Sequence, residues 1–346
     1  MTPRSANQRP TGGVLVALCA LGTATVAGAA MLARRPHRAL GRMEALSLPP
    51  APRVPAARTR RPLPPPSSPV VSHSNAVLAA RRLNRAAGTI ATSVLIDSAV
   101  EHYRGAFSNK AMYTPIVVSA LSLLASYHGH RDHDPIPHKL RDAIYALSAI
   151  TGVIGTGFHL YNVAKRPGGF CWQNLFYAAP LGAPAAITLS GMTGFLAERV
   201  RDNHPNSVPD VLGLPAGRVV AALTGIGLLG TTAEAALLHF RGAFHNPAML
   251  LPVTVPPAGA LLLAGAALGP SERPRPLTRW WMRVTALLGV VGVGFHAVGV
   301  ARNMGGWRNW MQNIQAGPPL PAPPAFTGLA LAGLAAMGLL QDNPHE

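Results

Sequence analysis

The stretch "EHYRGAFSNKAM" runs from residue 101 to 112, and "LHFRGAFHNPAM" runs from 238 to 249. From His102 to Met112 and from His239 to Met249, eight of eleven positions are identical at a constant spacing of 137 residues. The same spacing relates "TGVIGTGFH" (151–159) to "LGVVGVGFH" (288–296), six of nine identical, and Gly168-Gly169 to Gly305-Gly306. After a shift of two residues, "QNLFYAAPLGAP" matches "QNIQAGPPLPAP". A long-period internal repeat of this kind organises the whole chain.

Composition gives the class. Only 12% of the 346 residues are charged and 49% are apolar, with a mean hydropathy of +0.23. Soluble domains carry about 25% charge. Apolar runs recur at 13–33 and near 86–107, 112–128, 143–164, 176–197, 214–240, 248–269, 282–301 and 324–340. Most approach the ~20 residues that cross a bilayer as a helix. The tryptophans, Trp172, Trp280, Trp281, Trp307 and Trp310, stand at run ends, where an amphipathic ring meets the membrane interface. These features predict an all-α, polytopic membrane helical bundle of two tandem four-helix repeats, eight transmembrane helices in all.

The expected domains are an N-terminal signal or anchor helix (1–33), a Pro/Arg-rich disordered linker (34–75) and two membrane repeats (76–200 and 201–346). An even number of helices per repeat gives both copies the same orientation, related by an axis along the membrane normal. The net charge of +17 is not a nucleic-acid signature. Eleven arginines lie between 34 and 85, and most other basic residues flank the apolar runs, as membrane topology demands. Their slight excess on the linker side puts the linker and carboxyl terminus in the cytoplasm. The chain is then a multi-pass protein of the cell's inner (plasma) membrane, with the repeated motifs near the non-cytoplasmic side. Cys19 and Cys171 are far apart and carry no disulfide argument.

Part of the repeated sentence is structural. Gly105 and Gly242 are suited to end a helix as left-handed caps, and Asn109 and Asn246 to cap the next helix. The ionisable residues demand more. His102, His159, His239 and His296 lie in or at the edge of apolar helices, as do Asp97 and Glu234. Ionisable groups at such depth are costly and mark functional sites. His102 is two residues before Arg104 and His159 six before Lys165, so their depths differ by only about 6 Å. Facing histidines on parallel helices suit axial ligation of heme b, with one pair per repeat.

Arg104, Lys165, Arg241 and Arg302 stand at the same membrane edge to pair with propionates, and the glycines before His159 leave room for a flat macrocycle. The rival occupant of the histidines is a bare Fe, Cu or Zn ion, with Asp97 and Glu101 as oxygen ligands beside His102 and His159; Glu101 has Leu238 as its counterpart, so only one acid is repeated. A third reading makes Asp97 and Glu234 a proton relay in a transporter or scaffold. The cluster "HGHRDHDPIPH" (128–138) has no histidine-bearing counterpart and reads as a polar loop. "GVIGTGFH" follows no strand, so a dinucleotide fingerprint is excluded.

In outline, the paired histidines on apolar helices resemble membrane cytochrome subunits of oxidoreductases. That outline implies an electron-transfer subunit embedded in the bilayer, working between a soluble dehydrogenase partner and quinone.

Overall fold

The computed structural model describes residues 73–341, apart from Ala179, 204–206 and 270–274. The expected anchor at 13–33 and nearly all of the linker lie outside the described residues. The described residues form an all-helical fold, with 80% of them in helices. In order these are α1 (His73–Arg104), α2 (Thr114–Arg131), α3 (Lys139–Ala164), the short α4 (Trp172–Tyr177), α5 (Gly182–Arg201), α6 (Ala216–Arg241), α7 (Leu251–Leu268), α8 (Pro276–Ala301), the short α9 (Trp310–Ala316) and α10 (Pro324–Gln341).

Eight of these are long, and each falls on one of the apolar runs after the first. Among the described residues four segments, Lys139–Ala164, Ala216–Arg241, Pro247–Leu268 and Pro276–Ala301, are by length and hydropathy sufficient to cross a membrane. The outward faces agree with that. Ile154, Phe158 and Tyr161 on α3, and Val290 and Phe295 on α8, are at least half exposed, an apolar exterior that water would not tolerate over such an area. The interior is instead rich in small and hydroxylated residues. Ser122 and Ser190 share a hydrogen bond of 3.0 Å, and the Ser190 hydroxyl lies 3.0 Å from the Ala87 carbonyl. Small residues of this kind let helices approach closely where lipid supplies no hydrophobic drive.

Packing follows the same scheme in both halves. In the first, α1 packs on α2 and α5, and α3 packs on α5; in the second, α6 packs on α7 and α10, and α8 packs on α10. The halves join through α1 against α10 and α5 against α6. Leu83, Ile90 and Val94 of α1, Leu196 and Val200 of α5, Leu228 of α6, and Leu329 and Leu340 of α10 form one continuous core there.

Two boundaries differ from the sequence expectation. α1 begins at His73 rather than near 86, because Ala76, Ala79, Ala80, Leu83 and Ala87 keep a buried helical stripe between the arginines. Arg81 is accommodated by donating from Nε to the His130 carbonyl at 2.7 Å. The link between α5 and α6 holds a two-residue hairpin, Asp210–Val211 with Leu214–Pro215. Its turn residues Leu212 and Gly213 have φ of 58° and 77°, the paired left-handed conformation that a tight hairpin requires.

Candidate functional site

The repeated motifs build four histidine clamps. After α1 the chain reverses through Ala106 and Phe107 (φ 53° and 46°), and after α6 through Ala243 and Phe244 (53° and 47°). Two successive non-glycine residues in the left-handed region are costly, of order 1–2 kcal/mol each. The expected glycine caps are therefore not the left-handed residues. Gly242, for instance, has φ −82°. A Cβ on Gly105 would stand 2.8 Å from Met112 Cε, and one on Gly242 3.0 Å from Met249 Cε. The glycines make room for the methionines.

The asparagines cap as expected, though they cap a 3₁₀ turn. Asn109 and Asn246 each accept the N–H two residues on at 2.9 Å. The product of this reversal is a single contact. His102 Nδ1 donates to the Met112 carbonyl at 2.6 Å, and His239 Nδ1 donates to the Met249 carbonyl at 2.8 Å. Phe107 and Phe244 set their rings nearly perpendicular to those imidazoles, at 6.4 and 6.2 Å between centroids.

The second pair is clamped from another direction. His159 Nδ1 donates to the Pro180 carbonyl, and His296 Nδ1 donates to the Pro319 carbonyl, both at 2.7 Å. These carbonyls precede α5 and α10. The helices are drawn together by the glycines one and two turns before each histidine. A Cβ on Gly152 would lie 2.4 Å from Thr188 N, and one on Gly289 2.3 Å from Thr327 Oγ1. Gly155 and Gly292 meet Pro184 and Pro323 in the same way. These glycines are thus filled by the neighbouring helix, which corrects the expectation that they leave room for a macrocycle. Gly157 and Gly294, two residues before each histidine, do face open space.

A carbonyl oxygen can only accept, so each Nδ1 carries the proton, and the neutral ring presents Nε2 as a lone pair. All four rings are half-buried. Within the first half, His102 and His159 lie in electrostatic reach of one another, and within the second half His239 and His296 do.

The acids occupy a different place. Asp97 of α1 lies in electrostatic reach of Glu101 on its own helix and of Glu234 on α6. Glu234 reaches the N–H groups of Leu181 and Gly182 at the start of α5, while its Oε1 is buried without a partner. At the equivalent point of the other half stands Pro321, which has no N–H; its carbonyl instead accepts from the Ser93 hydroxyl. Among the described residues no group of three or more His, Cys, Asp or Glu side chains converges as a metal site.

The arginines expected near the histidines are engaged elsewhere. Arg104 Nη1 pairs with Glu101 at 2.7 Å. Arg241 reaches toward the Leu175 carbonyl at 3.5 Å, with its guanidinium over the Phe176 ring. Lys165 lies over the Tyr161 ring.

At the opposite end of the first half lies a cluster that the sequence did not announce. Glu198 accepts from Arg141 Nε and Nη2, both at 3.0 Å, and from the His138 N–H at 3.0 Å. Arg141 Nη1 also reaches Asp132 at 2.7 Å and His128 Nδ1 at 2.8 Å. Arg201 donates to the carbonyls of Gly129 and Asp134. Burial pushes the Asp132 pKa up, but the Asp134 N–H and the two guanidiniums outweigh it and hold this carboxyl below the ordinary value. So most of the "HGHRDHDPIPH" loop is fastened to a buried ion network. At the matching positions the second half has Thr278, Met337 and Leu340, all buried. No known protein family, curated protein or solved structure matches this chain.

Proposed function

We propose that this chain is an integral membrane electron-transfer protein of the b-type cytochrome kind. In this reading each half is a four-helix unit holding one heme b between its two histidines, His102 with His159 and His239 with His296. The observation that carries the reading is the tautomer imposed four times over. Each Nδ1–H is tied to a backbone carbonyl, which fixes the ring and leaves Nε2 as the ligating atom, the outer-shell arrangement that metal-bound histidine requires. Two imidazole nitrogens per half match the axial demand of a heme. They do not match a bare Fe, Cu or Zn ion, for which a third protein ligand is absent among the described residues. When bound, the heme supplies a one-electron carrier.

The chain's own residues hold the axial imidazoles, and Phe107 and Phe244 buttress them. Asp97 and Glu234, in electrostatic reach of one another across the two halves, hold the proton that accompanies a change of charge nearby. The partners are the lipid bilayer, a soluble dehydrogenase and quinone. The transporter or scaffold alternative fits less well, because α1, α3, α6 and α8 are continuous helices through these residues, whereas carriers break their helices at the site. Purified protein should be coloured and should give sharp reduced-minus-oxidised bands of a b-type cytochrome. A colourless, correctly folded preparation would return the histidines to the carrier or scaffold reading.

The same proposal takes all eight long helices as spans of the inner (plasma) membrane, in two tandem units. The shortest have 18 residues, about 27 Å of helix against a hydrocarbon core of about 30 Å. The linker and carboxyl terminus are placed in the cytoplasm, with the histidine clamps near the opposite face. Single cysteines at Ser108 and at Asp134 should then be labelled by an impermeant maleimide from opposite sides. Labelling of both from one side would break this topology.

A further inference from the structure

Arg104 and Arg241 end α1 and α6 at equivalent positions, yet their surroundings differ. The Arg241 guanidinium stands 5.2 Å from the centroid of the Phe176 ring. Phe176, Trp172 and Phe240 pack around it with centroids 5.9–6.0 Å apart. Thus α4 of the first half plugs the end of α6 of the second. At Arg104 the crossed arrangement is repeated, with α9 of the second half beside the end of α1. Here Gln315 replaces Phe176 and Met311 replaces Trp172. What remains is a shallow, open groove of about 510 Å³ lined by Arg104, Asn309, Met311, Gln312, Gln315 and Ala316.

The chemistry of this groove is restrictive. Its donors are a guanidinium and side-chain amides. Arg104 Nη1 is already paired with Glu101, so the local charge is nearly balanced, and a phosphate or carboxylate would meet that acid. A neutral ligand with carbonyl oxygens accepts from the remaining guanidinium N–H groups and from Gln312 without this repulsion. Its shape is suggested by the other half, where a flat six-membered ring lies under the matching guanidinium.

We infer that this groove binds the headgroup of a membrane quinone, and that the first half's Arg104 carries this site while Phe176 closes its counterpart at Arg241. The use of the ligand rests on the electron-transfer reading; its binding does not, and heme content is a separate readout. The test is labelling of the purified full-length protein with a photoreactive azidobenzoquinone, followed by peptide mapping and competition with a short-chain quinone. Label should fall on the segment carrying Trp310–Ala316 or on the end of α1.

Gln315→Phe, which rebuilds the plug, should weaken binding at least about tenfold, the equivalent of roughly 1.4 kcal/mol. Phe176→Gln, which removes the plug, should add a second labelled site at α4. Unchanged labelling in Gln315→Phe, or label spread elsewhere in the wild type, would overturn the inference. Label displaced by anionic phospholipid and not by quinone would overturn it in favour of a lipid headgroup site. Loss of heme bands with quinone labelling intact would sink the heme assignment and spare the groove.

Discussion

Replacing His159 by Ala should remove about half of the bound heme and leave the His239/His296 site occupied. The expectation rests on pairing within each half. Each half holds its own two clamps, and His159 lies in electrostatic reach of His102, as His296 does of His239. In the proposed site the lost ring would be one of two axial ligands to one heme, and the Pro180 carbonyl it leaves behind cannot ligate in its place. The fold should survive, because Gly152 and Gly155, not the imidazole, set the approach of α3 to α5. Heme extraction and quantitation against protein reads this directly. Loss of all the heme would point to one shared site drawn from both halves. Full retention would mean that His159 only ties helices together.

The largest stability effect is expected at Glu198. Its side chain is fully buried, and it answers both Arg141 and the His138 N–H. Glu198→Gln leaves two buried guanidiniums facing Asp132 alone. Removing one member of such a network costs about 3–5 kcal/mol, because the remaining charge stays desolvated. The thermal midpoint in detergent should drop by many degrees, with the heme spectrum unchanged at temperatures below it. The second half has the uncharged Gly269, Thr278, Met337 and Leu340 at the same places. Converting Arg141 to Thr, Asp132 to Gly, Glu198 to Met and Arg201 to Leu together should therefore recover most of the lost stability. A Glu198→Gln protein that melts with the wild type would show that the network contributes nothing.

The course of the helices was legible because the apolar runs are long and the 137-residue spacing admits no insertion between motifs. The histidines were legible as a set for the same reason. The atoms that hold them were not. The Nδ1 partners are backbone carbonyls ten residues away for His102 and twenty-one for His159, and a carbonyl has no sequence signature. The strained Ala106-Phe107 reversal was hidden because Gly105 offers the obvious explanation for the turn, and only the Met112 side chain reveals the glycine's purpose. The Arg141–Glu198 network was missed because its members lie at helix ends, where charges ordinarily face water. The groove at Arg104 emerged only by setting Gln315 beside Phe176 in space.

The central claim is that each half holds one heme through two clamped histidines. Low-temperature electron paramagnetic resonance of the oxidised, purified protein, combined with heme quantitation, tests it most directly. Two low-spin ferric hemes per chain with bis-imidazole signals are expected, both lost in a protein lacking His102 and His239. One heme per chain, a high-spin signal, or no heme in folded protein would contradict it.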